Sequence, residues 1–131
     1  MFKAGARFPG APSNSSVRVL QISDDPNLAA TRLLVLQSAG FKVEHRGSSA
    51  LRSVDGCRSF QVIVLCQSLD AAIAAELSHR ICAAAPDARI LRVRYALHDQ
   101  VLADVAISAP VQPHELVNAV ERLAHSPGGR A

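Results

Sequence analysis

Four places along the chain bear on chemistry, three through reactive side chains and the fourth through the lack of one. The first is the run Ser23-Asp24-Asp25, which follows the apolar stretch Val17–Ile22. Adjacent carboxylates at the end of an apolar strand can hold a divalent cation or cap a helix. The second is Cys66, the last residue of FQVIVLC, where a thiol can serve as nucleophile, redox centre or soft-metal ligand. The third is Arg94-Tyr95, a guanidinium and a phenol after the run Arg89–Arg94. The fourth is Ala109-Pro110, where a methyl group stands after the last apolar run.

The other reactive side chains are dispersed. His45, His79, His98, His114 and His125 have no metal-type spacing. Cys57, Cys66 and Cys82 form no CxxC and are odd in number, so no disulfide framework is expected and a reducing cytoplasm is the simplest setting. No Ser-His-Asp arrangement stands out, and no Gly-rich phosphate loop follows the first apolar run. Enzyme activity is therefore not expected. The net charge is only +3, carried by single residues such as Arg52, Arg58, Arg80, Arg89 and Arg122. A nucleic-acid surface needs a clustered basic face, so none is expected. No segment approaches the roughly 18 apolar residues of a membrane span, and MFKAGARFPGAPSNSS lacks a signal-type apolar core.

The elements that must position these residues follow from periodicity. Hydrophobic residues make up 49% of the 131 residues and aromatic ones 4%, so the core is aliphatic. Residues 1–16 are rich in Gly, Pro, Ser and Ala and are expected to be a disordered tail; 126–131 are expected to be a second flexible tail. Between them, 17–125 is one domain. Val17–Ile22 is a strand. Asp25 caps a helix begun by Pro26, in which Leu28, Arg32, Val35, Leu36 and Ala39 recur at helical spacing, and Gly40 ends it. Phe41–His45 is a second strand, and a brief helix runs from Ser48 or Ser49 to Val54. Phe60–Cys66 is nearly continuous in apolar residues, as a strand buried on both faces is. Asp70–Ala85 is a helix, with Ile73, Leu77 and Ile81 on one side. Arg89–Arg94 and Asp104–Ser108 are strands joined by the nine residues 95–103, room for one or two helical turns. Gln112-Pro113 opens a last helix. Five βα repeats give an open parallel sheet covered by helices, with ligand sites at the carboxyl ends of its strands.

At those ends the sequence resembles the receiver domain of bacterial response regulators. VRVLQISDDPNLAATRLLVLQSAGFKVE looks like the family's opening, FQVIVLC like its third strand, and ISAPVQPHELVNAV like its Lys-Pro region and last helix. The resemblance spans about 17–125. It implies an α/β, flavodoxin/CheY-like, doubly wound five-stranded parallel sheet, (βα)5, with a shortened fourth helix. It also implies that the phosphorylation site is degenerate. Cys66 stands at the phosphoacceptor, Arg94 at the switch hydroxyl with Tyr95 beside it, and Ala109 at the invariant lysine. The preferred register puts Ser23 and Asp24 at the metal-binding pair and Asp25 next to it; a shift of one residue puts Asp24 and Asp25 there.

The resemblance thus implies a stand-alone pseudo-receiver that signals through a protein partner, such as a histidine kinase or transcriptional regulator. Aspartyl phosphorylation is not expected, and neither is Mg²⁺ or another cofactor. Arg94 is expected either to pair with Asp24 or Asp25 or to face solvent. Cys66 has three readings: a small buried apolar residue, a redox or small-ligand sensing thiol, or a soft-metal ligand.

Overall fold

In a computed structural model, residues 14–50, 55–95 and 99–125 are described. Five strands form one parallel sheet: β1 (Arg18–Ile22), β2 (Lys42–Arg46), β3 (Val62–Leu65), β4 (Arg89–Arg94) and β5 (Val105–Ser108), in the order β2-β1-β3-β4-β5. The α-helices are α1 (Pro26–Ser38), α2 (Ala71–Ala84) and α3 (Pro113–His125). The doubly wound α/β sheet expected from the sequence is therefore present.

Side-chain alternation along the strands builds two apolar layers. On one face Leu20, Ile22, Ile63, Leu65 and Ile90 pack with Leu69, Leu77 and Ile81 beneath α2. On the other, Val19, Val62, Val64, Cys66, Leu91 and Val93 pack with Leu36 of α1 and Leu116, Val120 and Leu123 of α3. β3 is buried at every position, in keeping with a central strand covered on both sides.

The helix ends follow local chemistry. Asp25 is the N-cap of α1: its carboxylate accepts from the Asn27 and Leu28 amides at 3.0 and 3.2 Å, and Pro26 takes the first helical position. Gly40 follows the helix with φ 100°, a left-handed conformation that a Cβ disfavours. Asp70 caps α2 through the Ile73 amide at 2.9 Å.

Three expectations change. The N-terminal boundary lies earlier than Val17: Asn14–Ser16 form a 3₁₀ turn, and Asn14 is buried. Its amide bonds the Ala39 carbonyl and Glu121 at 2.9 Å each, and His125 at 3.0 Å, so both helix ends draw it into the body. The remaining tail expectations, on 1–13 and 126–131, lie outside the described residues. The brief helix expected from Ser48 to Val54 is seen as a 3₁₀ turn at Ser48–Ala50, with 51–54 outside the described residues and a second 3₁₀ turn at Asp55–Ser59. The shortened fourth helix is not formed among the described residues of the β4–β5 link; 96–98 lie outside them. Residues 101–103 of the link instead pack on the α2 face. Val101 and Ala103 pack on that core, and buried Ser78 of α2 donates to the Leu102 carbonyl. No helix among the described residues is long and apolar enough to cross a membrane.

Candidate strand-end site

The carboxyl ends of β1, β3, β4 and β5 bring together most of the chemistry-bearing residues. Ser23 is buried, and it alone of the Ser23-Asp24-Asp25 run points inward. Its hydroxyl shares a hydrogen bond of 2.9 Å with Ser68 Oγ and accepts from the Asp25 amide at 3.2 Å. Asp24 and Asp25 are exposed, and each carboxylate already has amide or hydroxyl donors. Asp24 accepts from the Ser48 amide at 2.8 Å and from its hydroxyl at 2.6 Å, tying the β1 end to the β2 end. A Cβ at Gly47 would stand 3.3 Å from the Asp24 carboxylate, so a side chain there crowds this clamp. Asp25 is used as the α1 cap.

Cys66 is fully buried, and its backbone carbonyl accepts from Arg92 Nη1 at 2.9 Å. Burial pushes the thiol pKa up; Arg32, Ser23 and Arg92 pull the other way without cancelling it. Arg32 is a residue whose role sequence reasoning missed. It projects from α1, is only 6% exposed, and donates to Gln67 Oε1 at 2.6 Å. Among the described residues it has no carboxylate partner. Its signal in the sequence is its place inside the apolar stripe of α1, four residues after Leu28 and four before Leu36.

The second missed residue is Arg92. It lies in the middle of β4, and its side chain is 3% exposed. Its guanidinium pairs with Asp99 at 2.8 Å and also donates to the Cys66 and Leu69 carbonyls at 2.9 and 3.0 Å. One cation thus ties the β3 end to the β4–β5 link. The Arg92 hydrogen bond holds the Asp99 carboxyl below its ordinary range, against the opposing effect of burial. Arg94 makes neither of the two arrangements expected for it. It is half-buried and donates through Nη1 to the Asp99 carbonyl at 2.9 Å, far from Asp24 and Asp25 in its bonding. Asp99 of the link captures both arginines, Arg92 through its carboxylate and Arg94 through its carbonyl.

Tyr95 is 74% exposed, at the mouth of a cavity of ≈ 220 Å³ with Arg92, Asp99 and Asp70 in its wall. Ala109 is half-buried, and its amide donates to the Arg94 carbonyl at 2.7 Å. Its methyl group stands where the resemblance places a lysine. Among the described residues no three His, Cys, Asp or Glu side chains gather as a metal site. His45 reaches the Ser23 carbonyl at 3.1 Å, so it is not aimed at the hydroxyl as a base would be.

No family model matches the chain, and no curated protein does. Solved structures do. A pilus assembly-related protein from Burkholderia pseudomallei superposes with TM-score 0.72 at 21% identity, over 92% of this chain and 98% of that one. The receiver domain of a sensor histidine kinase from Pseudomonas aeruginosa, which holds a magnesium ion in its active-site cleft, gives TM-score 0.72 at 19% identity, over 85% and 99%. An orphan response regulator from Helicobacter pylori gives 0.67 at 19%, over 87% and 100%. Such identities speak for backbone architecture, and on that measure the chain has the CheY-like receiver fold of the response regulators.

Proposed function

We propose that this protein is a signalling module of receiver type that works without aspartyl phosphorylation, its output being the binding of a protein partner. The observation that carries this reading is that the groups at the strand ends are already committed to one another. Phosphoryl transfer to a receiver needs a carboxylate nucleophile, a divalent metal and a cation for the developing charge. The nucleophile position holds a buried thiol. Mg²⁺ takes hard oxygen ligands in a near-octahedral array and keeps several waters. Here Asp24 accepts from Ser48, Asp25 caps α1, the Cys66 carbonyl accepts from Arg92, and the buried Arg32 guanidinium donates to Gln67 beside Cys66 in the chain. These residues do not fit the ion, and no step is routed through it.

A histidine kinase or a transcriptional regulator is the class of partner proposed, in the cytoplasm, with no direct contact to nucleic acid and no catalysis of its own. The alternative of a thiol sensor at Cys66 is disfavoured by the burial of Cys66 and the raised thiol pKa, since the thiolate is the reactive form. The test is incubation of the full chain with acetyl phosphate and Mg²⁺, read by intact mass and by amide chemical shifts during a Mg²⁺ titration. The expected result is no phosphoryl adduct and no saturable shifts at Asp24, Asp25 or Cys66. An acid-labile phosphoryl group on the folded protein overturns the reading.

A further inference from the structure

Helix α1 differs from the other two helices in what it shows outward. Its one charged residue, Arg32, is buried, and its exposed positions, among them Ala30, Leu34 and Ser38, carry no charge. By contrast α2 exposes Glu76, and α3 exposes Glu115 and Arg122. Leu34 is 65% exposed. An uncharged helix face with a large aliphatic side chain on it is built to be covered. Leu34 walls an open groove of ≈ 500 Å³ between α1 and α3. Val35, Ala39 and Val117 line it and pack on the core beneath, and Pro113 and Asn118 line its α3 side.

The chain itself enters at one end of this groove. Buried Asn14 donates to the Ala39 carbonyl and to Glu121 at 2.9 Å each, and Ala39 is part of the groove lining. The 13 residues before Asn14 therefore start against the groove. They read MFKAGARFPGAPS, with two of the chain's four phenylalanines, two prolines and no acid. A solvated linker is made of Gly, Ser and charged residues, and phenylalanine serves it in nothing. The reach is sufficient. Five residues of helix from Ala39 to Leu34 cover about 7.5 Å along the axis. Six residues from Asn14 back to Phe8 span about 20 Å when extended. Pro9 and Pro12 favour an extended backbone, which lowers the entropy lost on docking.

We propose that the segment Phe8–Pro12 (FPGAP) docks into the α1–α3 groove of its own chain, with the Phe8 ring against Leu34, Val35 and Val117. A groove filled from within is closed to other chains. This contact does not depend on what the strand-end pocket does.

The experiment is limited trypsin digestion of the full chain, read by intact mass, with each variant's fold checked by circular dichroism. The segment before Asn14 holds two tryptic bonds, Lys3–Ala4 and Arg7–Phe8. A protease must hold the residues after the bond extended in its own cleft, so cutting at Arg7 requires Phe8 to leave the groove, and cutting at Lys3 does not. Leu34→Glu, a charge on the exposed helix face, is expected to speed cleavage at Arg7 by about tenfold or more and to leave Lys3 unchanged. Phe8→Ser gives a reading without protease: loss of the ring moves the methyl resonances of Leu34, Val35 and Val117. Equal cutting at Arg7 in wild type and Leu34→Glu overturns the proposal, and so do methyl resonances indifferent to Phe8→Ser. Protection of Arg7 that rises with chain concentration puts the segment in a second copy's groove and overturns the contact within one chain.

Discussion

Removing the Asp99 carboxylate tests whether Arg92 is a buried latch. The guanidinium is 3% exposed and its partner 10%, at 2.8 Å. Asp99→Ala leaves the cation buried with only the Cys66 and Leu69 carbonyls as acceptors. Breaking a buried pair from one side costs about 3–5 kcal/mol. Two retained carbonyls and the marginal exposure of Asp99 place this case at the low end, about 3 kcal/mol. With an m-value of about 1.5 kcal/mol/M, the urea midpoint falls by about 2 M. Asp99→Asn keeps an acceptor without charge and costs about half as much. Arg92→Met/Asp99→Ala removes both charges and recovers most of the loss, to within about 1–2 kcal/mol of wild type, since Cys66 O still accepts from the Leu69 amide and only Leu69 O and the Val101 amide, the latter held by a long 3.4 Å bond, lose a partner.

The pH dependence has a fixed sign. The folded-state pKa of Asp99 is lowered by its Arg92 hydrogen bond. The pair's contribution is therefore complete above the ordinary Asp value, about 3.9 in an unfolded chain, and is lost as pH falls through the lower folded value. The wild-type advantage over Asp99→Ala shrinks on acidification in that window. The assay is urea unfolding followed by circular dichroism at neutral and acid pH. A neutral-pH difference under about 0.5 kcal/mol, the range of ordinary surface substitutions, refutes the reasoning. A difference that does not shrink in acid does so too.

Other outcomes follow from local geometry. Asp25→Ala removes the α1 cap and costs about 1 kcal/mol in urea unfolding, as expected of a carboxylate used by the helix. Gly40→Ala forces a Cβ into φ 100° and costs about 1–2 kcal/mol by the same measurement. In native thiol titration with a chromogenic disulfide, partly exposed Cys82 reacts first. Buried Cys57 and Cys66, both with raised pKa, react only on the timescale of unfolding, at every pH where the protein stays folded. Rapid native labelling of Cys66 would revive the sensor reading.

Much of the framework is a property of short sequence windows. Asp25-Pro26 starts α1 because a carboxylate cap and an imide at the first position suit a helix N-terminus wherever they occur. Gly40 ends it because glycine tolerates the left-handed region. FQVIVLC reads as a strand covered on both sides, and β3 is buried throughout. The absence of a carboxylate at residue 66, a hydroxyl at 94 and a lysine at 109 is likewise legible in the sequence alone.

The bonding of the strand-end site is another matter, because its contacts join residues far apart in the chain. Asp24 meets Ser48, Arg32 meets Gln67, and Arg92 meets Cys66 and Leu69. Arg92 and Arg94 point to the same face by the two-residue period of a strand, so the sequence cannot say which lies under the link and which at its edge. The path of the link decides it: the Asp99 carboxylate lands on Arg92 and the Asp99 carbonyl on Arg94. The run Ser23-Asp24-Asp25 announces acidity at a strand end. Only the packed structure turns the serine inward and directs both carboxylates to backbone amides, through the cap geometry of α1 and the approach of the β2 end.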